Sequence, residues 1–244
     1  MKKILVSDLD GTLIQKNDIS QSDREKIEKF TKLGNIFVIA TGRNYYDFMR
    51  ADRYFNIPYE YLILNGGSLI LNKEKNIILS EIIDSDQIVA EIITSLKKIN
   101  ARNTLIYVSH EKSAVNMAYP WEPVFIADKV NSICLDFRDD FDENIDKVYD
   151  LLNKNKTYSI IKNGKYIDIL PLGHSKEKSI TTLLEYLNID VEALYTVGDD
   201  WNDISMLEMT NNSYAIISHK EEVMQAAKNR VRNITECLDH LCME

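Results

Sequence analysis

Short apolar runs alternate with amphipathic segments over the first 65 residues, and this alternation limits the possible folds more than any other feature. The apolar runs cover residues 3–7, 35–40 and 61–64, which is the length of a strand. Apolar residues at helical spacing occupy the two intervals between them. Strands that alternate with helices are typical of a parallel sheet with helices on its faces. We therefore expect an α/β fold.

The pattern changes after residue 67 and returns near residue 166. The intervening segment contains a predicted hairpin, predicted helices and strand-like runs that do not alternate regularly. This middle third therefore predicts a separate α+β domain inserted into the first one. We assign residues 1–81 and 166–244 to the α/β core and residues 82–165 to the insertion.

Composition excludes several classes of protein. The chain of 244 residues has a net charge of -9, whereas a general nucleic-acid binder carries a basic surface. Its apolar runs are too short for a membrane span, and the first of them is too short for a signal peptide. The three cysteines are odd in number and lack metal-site spacing. We expect a cytoplasmic protein, monomeric or a small homo-oligomer, with neither nucleic acid nor membrane as partner.

Four of the predicted strands end in polar turns that contain glycine. These turns occupy residues 8–12, 41–43, 65–67 and 198–203. Each turn alone has a structural explanation, because Asp-Gly and Asn-Gly are common turn dipeptides. In a parallel sheet, however, the carboxyl ends of the strands lie along one edge, where ligands bind. The four turns together therefore indicate a functional site.

Asp8 and Asp10 are the most informative pair within these turns. Two aspartates two residues apart can share a Mg²⁺ ion. Alternatively, one carboxylate can attack a substrate while the other transfers protons. The residues alone leave both possibilities open.

These turns resemble the motifs of the haloacid dehalogenase (HAD) superfamily of phosphohydrolases, and in particular its Cof-type group with an α/β cap. The first motif is the sequence DLDGTL that begins at Asp8, and the second is TGR at residues 41–43. The third is Lys176, which follows the predicted helix cap Ser175, and the fourth is GDDWND at residues 198–203. The resemblance covers nearly the whole chain. It implies a Rossmann-like core, an inserted cap and phosphomonoester hydrolysis.

The resemblance also implies a role for each matching residue. Asp8 would attack phosphorus to form an aspartyl-phosphate, and Asp10 would protonate the leaving oxygen and then activate water. Mg²⁺ would be bound by Asp8, by the backbone carbonyl of Asp10 and by Asp199, with Asn202 and Asp203 as outer or additional ligands. The residues expected to bind phosphate or substrate are Thr41, Gly42, Arg43, Asn65, Lys176 and Asn202.

Three positions carry separate expectations. Glu177 stands where the family usually has glycine, and we expect its charge to point away from the phosphate. Ser218 stands where Cof-type chains usually have asparagine, so a role of that asparagine does not transfer to this chain. Trp121, with Tyr119, fits two explanations equally well: a surface that closes over the substrate, or packing inside the small cap.

The resemblance implies a Mg²⁺-dependent phosphatase for small phosphorylated metabolites, with sugar phosphates as the expected substrates. One alternative is a phosphomutase of the phosphomannomutase type, which needs cations in its cap to bind a second phosphate. Residues 84–165 contain 11 Lys and Arg against 13 Asp and Glu, which disfavours the mutase. The non-enzymatic alternative is a phosphoacceptor or metabolite-binding module. Receiver-like modules lack such a large insertion.

Overall fold

The protein was studied as a computed structural model, and its described residues form two sheets. The structure describes residues 2–83, 85–121, 130–139, 142–154, 156–218 and 220–243. The larger sheet has eight strands and the smaller has five. Among the helices within these ranges, none is both long and apolar enough to cross a bilayer.

The larger sheet forms the α/β core. Its strands are β1 (Ile4–Ser7), β2 (Ile36–Ala40), β3 (Tyr61–Leu64), β4 (Leu69–Asn72), β5 (Ile77–Ser80), β11 (Leu194–Gly198), β12 (Ser213–Ile216) and β13 (Asn229–Val231). They lie in the order β13-β12-β11-β1-β2-β3-β4-β5, and the first six are parallel. β4 and β5 form the predicted hairpin and run antiparallel. The central strand β1 pairs with β11 on one side and β2 on the other.

Helices cover both faces of this sheet. On one face are α1 (Gln21–Lys32), α2 (Tyr45–Phe55) and α8 (Ile234–Met243), and on the other are α5 (Lys176–Leu187), α6 (Ile204–Glu208) and α7 (Glu221–Ala226). Alternate side chains of β1 therefore enter different cores: Leu5 packs on the α1 side, and Ile4 and Val6 pack on the α5 side. Burial on both faces explains why β1 is an uninterrupted apolar run. The expected α/β class is confirmed.

The smaller sheet forms the cap. Its strands are β6 (Leu105–His110), β7 (Ser113–Met117), β8 (Ser132–Asp136), β9 (Tyr158–Asn163) and β10 (Tyr166–Pro171). They are antiparallel, in the order β7-β6-β8-β10-β9. α3 (Ser85–Ile99) and α4 (Asp142–Leu152) pack on one face through a continuous apolar cluster. The insertion therefore has a core of its own.

The strand Tyr166–Pro171 belongs to the cap rather than to the α/β core. The sequence predicted a strand here but assigned it to the returning core. In the structure it lies between β8 and β9, with Asp168 opposite both Cys134 and Ile161. A short apolar run predicts a strand but carries no information about its partners. We therefore propose that the cap spans residues 82–171.

Trp121 packs inside the cap. Its side chain is buried in the apolar cluster beneath α3 and α4, and its indole Nε1–H donates to the Thr104 carbonyl at 3.0 Å. Tyr119 stacks edge-on against it at the surface, with 5.2 Å between ring centroids. Of the two explanations for Trp121, core packing is the one that the structure supports.

Candidate active site

The predicted polar turns meet at the carboxyl edge of the larger sheet. Asp8 directly follows β1, and its backbone N–H donates to Val197 of β11 at 2.9 Å. On the other side, the backbone N–H of Thr41 donates to Ile63 of β3, also at 2.9 Å. The parallel register thus brings together residues separated by almost 200 positions in sequence.

Lys176 connects the first turn to the last. It is the first residue of α5, whose N-terminus is capped by Ser175 as predicted: the Ser175 hydroxyl accepts the N–H of Lys178. The Lys176 ammonium donates to Asp8 Oδ1 at 2.6 Å and to Asp203 Oδ1 at 2.7 Å. All three side chains are more than nine-tenths buried.

This cluster has an excess of negative charge. Burial alone would lower the pKa of Lys176, but Asp203 and Asp8 outweigh it and raise that pKa. Burial and then the charge of Asp203 raise the pKa of Asp8 well above its usual range, against the opposing effect of Lys176. Burial also raises the pKa of Asp199. The site therefore stabilises added positive charge.

Asp203 fixes the geometry of the last turn. Its Oδ2 accepts the backbone N–H groups of Asp199 at 3.0 Å and Asp200 at 3.1 Å, while its Oδ1 binds Lys176. A Cβ on Gly198 would lie 2.6 Å from the Cβ of Asp203, so only glycine fits there. Both carboxylate oxygens of Asp203 are thus already engaged within the protein.

Three carboxylates lie close together at this edge. One oxygen from each of Asp8, Asp199 and Asp203 lies within 4.8 Å of the others. Oxygen ligands of this kind suit Mg²⁺. Thr12 orients Asp199 by donating its hydroxyl to Asp199 Oδ1 at 2.8 Å. The Asn202 side-chain oxygen is buried and finds no hydrogen-bond partner within the described part of the chain. The donor set, the charge excess and this orphaned oxygen fit a divalent metal.

Asp10 and Arg43 form a pair that the sequence did not specify. Arg43 donates from Nε to Asp10 Oδ2 at 2.7 Å and from Nη2 to Asp10 Oδ1 at 2.6 Å. About half of the Asp10 side chain remains exposed. The backbone N–H of Arg43 also donates to the Thr41 hydroxyl at 3.2 Å. Arg43, which is expected to bind substrate, is thus paired in this structure with Asp10, the expected proton donor.

Asn65 is buried beside the second turn without side-chain partners. Its backbone N–H donates to the Arg43 carbonyl at 2.9 Å, and its side chain is 1% exposed. Neither atom of its amide group finds a hydrogen-bond partner among the described residues. Buried amides are normally satisfied, and an orphaned one is costly. Asn65 is therefore a candidate for contact with a ligand.

Glu177 and Lys220 are two further charged residues of this region. Glu177 is exposed, as expected for a charge that points away from phosphate. Sequence reasoning missed Lys220, whose ammonium lies 2.9 Å from Asp200 Oδ2 and 3.7 Å from Asp199 Oδ2. Lys220 lies in the stretch that departs from the family pattern, so no motif drew attention to it. His219 lies outside the described residues.

The family model of haloacid dehalogenase-like hydrolases matches residues 5–236. The chain therefore belongs to this family. The match confirms both the family that its motifs resemble and the expected class of enzyme, a hydrolase.

Named relatives and solved structures agree with this membership. The chain is 24% identical to a 5-amino-6-(5-phospho-D-ribitylamino)uracil phosphatase of Bacillus subtilis, over 91% of this chain and 90% of that protein. A HAD-superfamily phosphatase from Bacteroides thetaiotaomicron superposes with a TM-score of 0.80 at 20% identity, covering 100% of this chain and 95% of that one. A HAD subclass IIB sugar phosphatase superposes with a TM-score of 0.77 at 20% identity, covering both chains completely. These superpositions establish the shared fold.

Replacement of Lys176 by methionine tests the buried ion cluster. It leaves Asp8 and Asp203 without their ammonium partner, so we expect the free energy of unfolding to fall by about 3–5 kcal/mol at pH 8 in chelator. Because the pKa of Asp8 is raised in the folded protein, the native state binds more protons than the unfolded state. Stability therefore increases as the pH falls. Lys176 lowers the pKa of Asp8, so that pKa is higher still in the variant, which gains more stability than the wild type between pH 8 and pH 5.5. The deficit therefore shrinks at pH 5.5.

Urea unfolding at both pH values measures this deficit, with Lys178→Met as the control. Lys178 is an exposed residue of the same helical turn. Its replacement is expected to change stability by less than about 0.5 kcal/mol. An equal deficit for Lys176→Met at both pH values would contradict the electrostatic explanation.

Gly11 and Gly34 form a matched pair for testing the position of Asp199. Both have positive φ, +92° and +87°, so alanine carries a similar backbone cost of about 1 kcal/mol at each. A Cβ on Gly11 would lie 2.6 Å from Asp199 Cγ, whereas nothing lies within 4 Å at Gly34. We expect Gly11→Ala to lower the affinity for a divalent metal, measured by calorimetry with Mg²⁺ as the probe, at least tenfold, and Gly34→Ala to leave it unchanged. Equal affinities in the two variants would show that Asp199 does not hold the metal.

Proposed function

We propose that this protein is a Mg²⁺-dependent phosphomonoester hydrolase that acts on small phosphorylated metabolites through a phosphoryl group carried on Asp8. The observation that supports this most is the position of the Asp8 carboxylate. It is buried at the sheet edge, bound through Oδ1 by Lys176 and close to Asp199. A carboxylate suits nucleophilic attack on phosphorus because the resulting acyl phosphate is labile enough to hydrolyse.

Lys176 orients the nucleophile. Its hydrogen bond holds Oδ1 of Asp8, and we propose that Oδ2 is the oxygen that attacks the substrate. The same ammonium is placed to attract the phosphate oxygens as charge spreads over them in the transition state. Thr41, the Gly42 amide, Asn65 and Asn202 provide further hydrogen-bonding groups around the phosphate.

Asp10 supplies the proton chemistry. Protonated Asp10 gives its proton to the oxygen of the departing alcohol as the phosphorus–oxygen ester bond breaks. The resulting carboxylate then takes a proton from the water that attacks the acyl phosphate. Because Arg43 holds this carboxylate in the free protein, we propose that Arg43 turns to the substrate phosphate on binding and releases Asp10.

Asp8, Asp199 and the backbone carbonyl of Asp10 are the groups that we propose as metal ligands. Mg²⁺, when bound, would neutralise charge on Asp8 and on the phosphate oxygens. We propose that Asp203 positions the surrounding groups rather than binding the metal directly, because Lys176 and two backbone N–H groups already engage its oxygens. Lys220, 3.7 Å from Asp199, competes for that carboxylate and weakens metal affinity.

The comparisons and the cap favour a phosphatase for sugar-like substrates over a mutase. A relative acts on a phosphoribitylamino compound, and a protein of the same fold is a sugar phosphatase. A mutase must hold a second phosphate with cations in its cap. On the core-facing side of the cap sheet, Arg138 binds Asp136 through contacts of 2.6–3.0 Å. Its charge is thus already balanced by a carboxylate and attracts a second phosphate only weakly.

Replacement of Asp8 by asparagine tests this function. Hydrolysis of p-nitrophenyl phosphate by the wild type should require Mg²⁺ and stop in chelator. Asp8→Asn removes the nucleophile, so we expect kcat to fall by more than about 10³-fold. Asp190→Asn is the matched control, since Asp190 is exposed and makes no side-chain cap hydrogen bond. Residual activity above a tenth in Asp8→Asn, or activity that persists in chelator, would exclude the proposal.

A further inference from the structure

The cap sheet presents a row of side chains toward the core. α3 and α4 cover one face of this sheet, where Ile167 and Ile169 of β10 are buried. The intervening residue Asp168 therefore points to the opposite face. Strand register places the following residues in one row across that face: Asn116, Tyr107, Cys134, Asp168 and Ile161.

Asp168 lies directly over the second turn of the active site. A Cβ built on Gly42 would be 3.9 Å from Asp168 Oδ2. Two residues further along β10, Leu170 approaches the third turn, because a Cβ on Gly66 would be 3.1 Å from Leu170 Cδ1. The cap and core thus approach each other closely at β10. The Asp168 carboxylate therefore lies beside the turn that is expected to bind phosphate.

The hydrogen-bonding capacity of Asp168 is largely unused. In the part of the chain that the structure describes, the group opposite it that can donate is the Cys134 thiol, which is a weak donor. Burial raises the pKa of Asp168 to about 6, against the lowering effects of Cys134 and Lys176. At neutral pH the group is therefore mostly an anion, and a carboxylate accepts up to about four hydrogen bonds.

The surroundings of Asp168 disfavour anionic groups. The neighbouring cation Arg138 is bound by Asp136, and Asp47 adds further negative charge near Cys134 and Tyr107. A second phosphate or a carboxylate on the substrate would be repelled here. Hydroxyl groups supply the missing donors, and the half-buried rings of Tyr107 and Tyr166 offer amphipathic surfaces beside them.

We propose that Asp168 is a specificity-determining residue that accepts hydrogen bonds from hydroxyl groups of the leaving alcohol. The enzyme then prefers alditol and sugar phosphates to esters whose alcohol carries no hydroxyl. This inference rests on the proposed phosphatase function, but its test is separable from that function. p-Nitrophenyl phosphate carries the same phosphate and no hydroxyl group.

The test compares two substrates in Asp168→Asn. The hydroxylated substrate is the best one found for the wild type in a panel of aldose, ketose and alditol phosphates. Loss of a hydrogen bond to a charged group is expected to lower kcat/KM for it by about 10–100-fold, mainly through KM. For p-nitrophenyl phosphate, kcat/KM is expected to change by less than about twofold.

Cys134→Ala is the matched control. It removes the thiol that donates to Asp168 but keeps the carboxylate, so we expect both substrates to be turned over at close to wild-type rates. If Cys134→Ala reproduces the effect of Asp168→Asn, the pair is structural and the proposal is overturned. Thermal unfolding of both variants identifies any general loss of stability.

The remaining outcomes are also decisive. Equal losses for both substrates in Asp168→Asn would overturn the specificity role while leaving the phosphatase function intact. The specificity role is also overturned, with the phosphatase function intact, if the wild type hydrolyses p-nitrophenyl phosphate at least as efficiently as every member of the hydroxylated panel. Absence of Mg²⁺-dependent hydrolysis of every substrate would instead reject the phosphatase function itself.

Discussion

The buried contact of Lys176 with Asp8 and Asp203 is the interaction on which the rest of the site depends. It joins the end of β1, the start of α5 and the turn after β11. The start of α5 is itself held against the core, because Ser179 donates its hydroxyl to the Gly67 carbonyl. Gly67 has φ of +121°, and any Cβ there would overlap the backbone of Ser175. The position of the lysine is thus fixed by backbone packing.

A buried ion cluster of this kind contributes little to the free energy of folding. Removing charges from water costs several kcal/mol per ion, and a buried ion pair often contributes less than apolar residues of the same size. Here a single ammonium faces two carboxylates, with a third in Asp199 nearby. Burial first, and then the charge of Asp203, raises the pKa of both Asp8 and Asp199. The arrangement is understandable if the missing positive charge arrives with a metal.

Much of the core and of its site could be predicted from sequence, because both follow from local patterns and topology. Once β1, β2, β3 and β11 are assigned to one parallel sheet, their polar ends must lie at one edge. The helix cap at Ser175 likewise predicted where Lys176 would be presented.

Other features depend on contacts that no local pattern encodes. The strand at 166–171 was recognised as a strand, but its pairing with β8 and β9 is a long-range choice. The same applies to the pairing of Arg43 with Asp10 and to the ion pairs of Lys220. Asp168 was overlooked because its importance comes from the row it occupies in the cap sheet and from its closeness to Gly42.

The central claim is that Asp8 carries the phosphoryl group, and chemical trapping tests it most directly. Enzyme mixed with substrate and Mg²⁺ is quenched in acid within a single turnover, and borohydride then reduces any acyl phosphate to the alcohol. Mass spectrometry of the digested protein should find homoserine at position 8 and aspartate at position 10. Modification at position 10, or an unmodified position 8 under conditions of rapid turnover, would contradict the account.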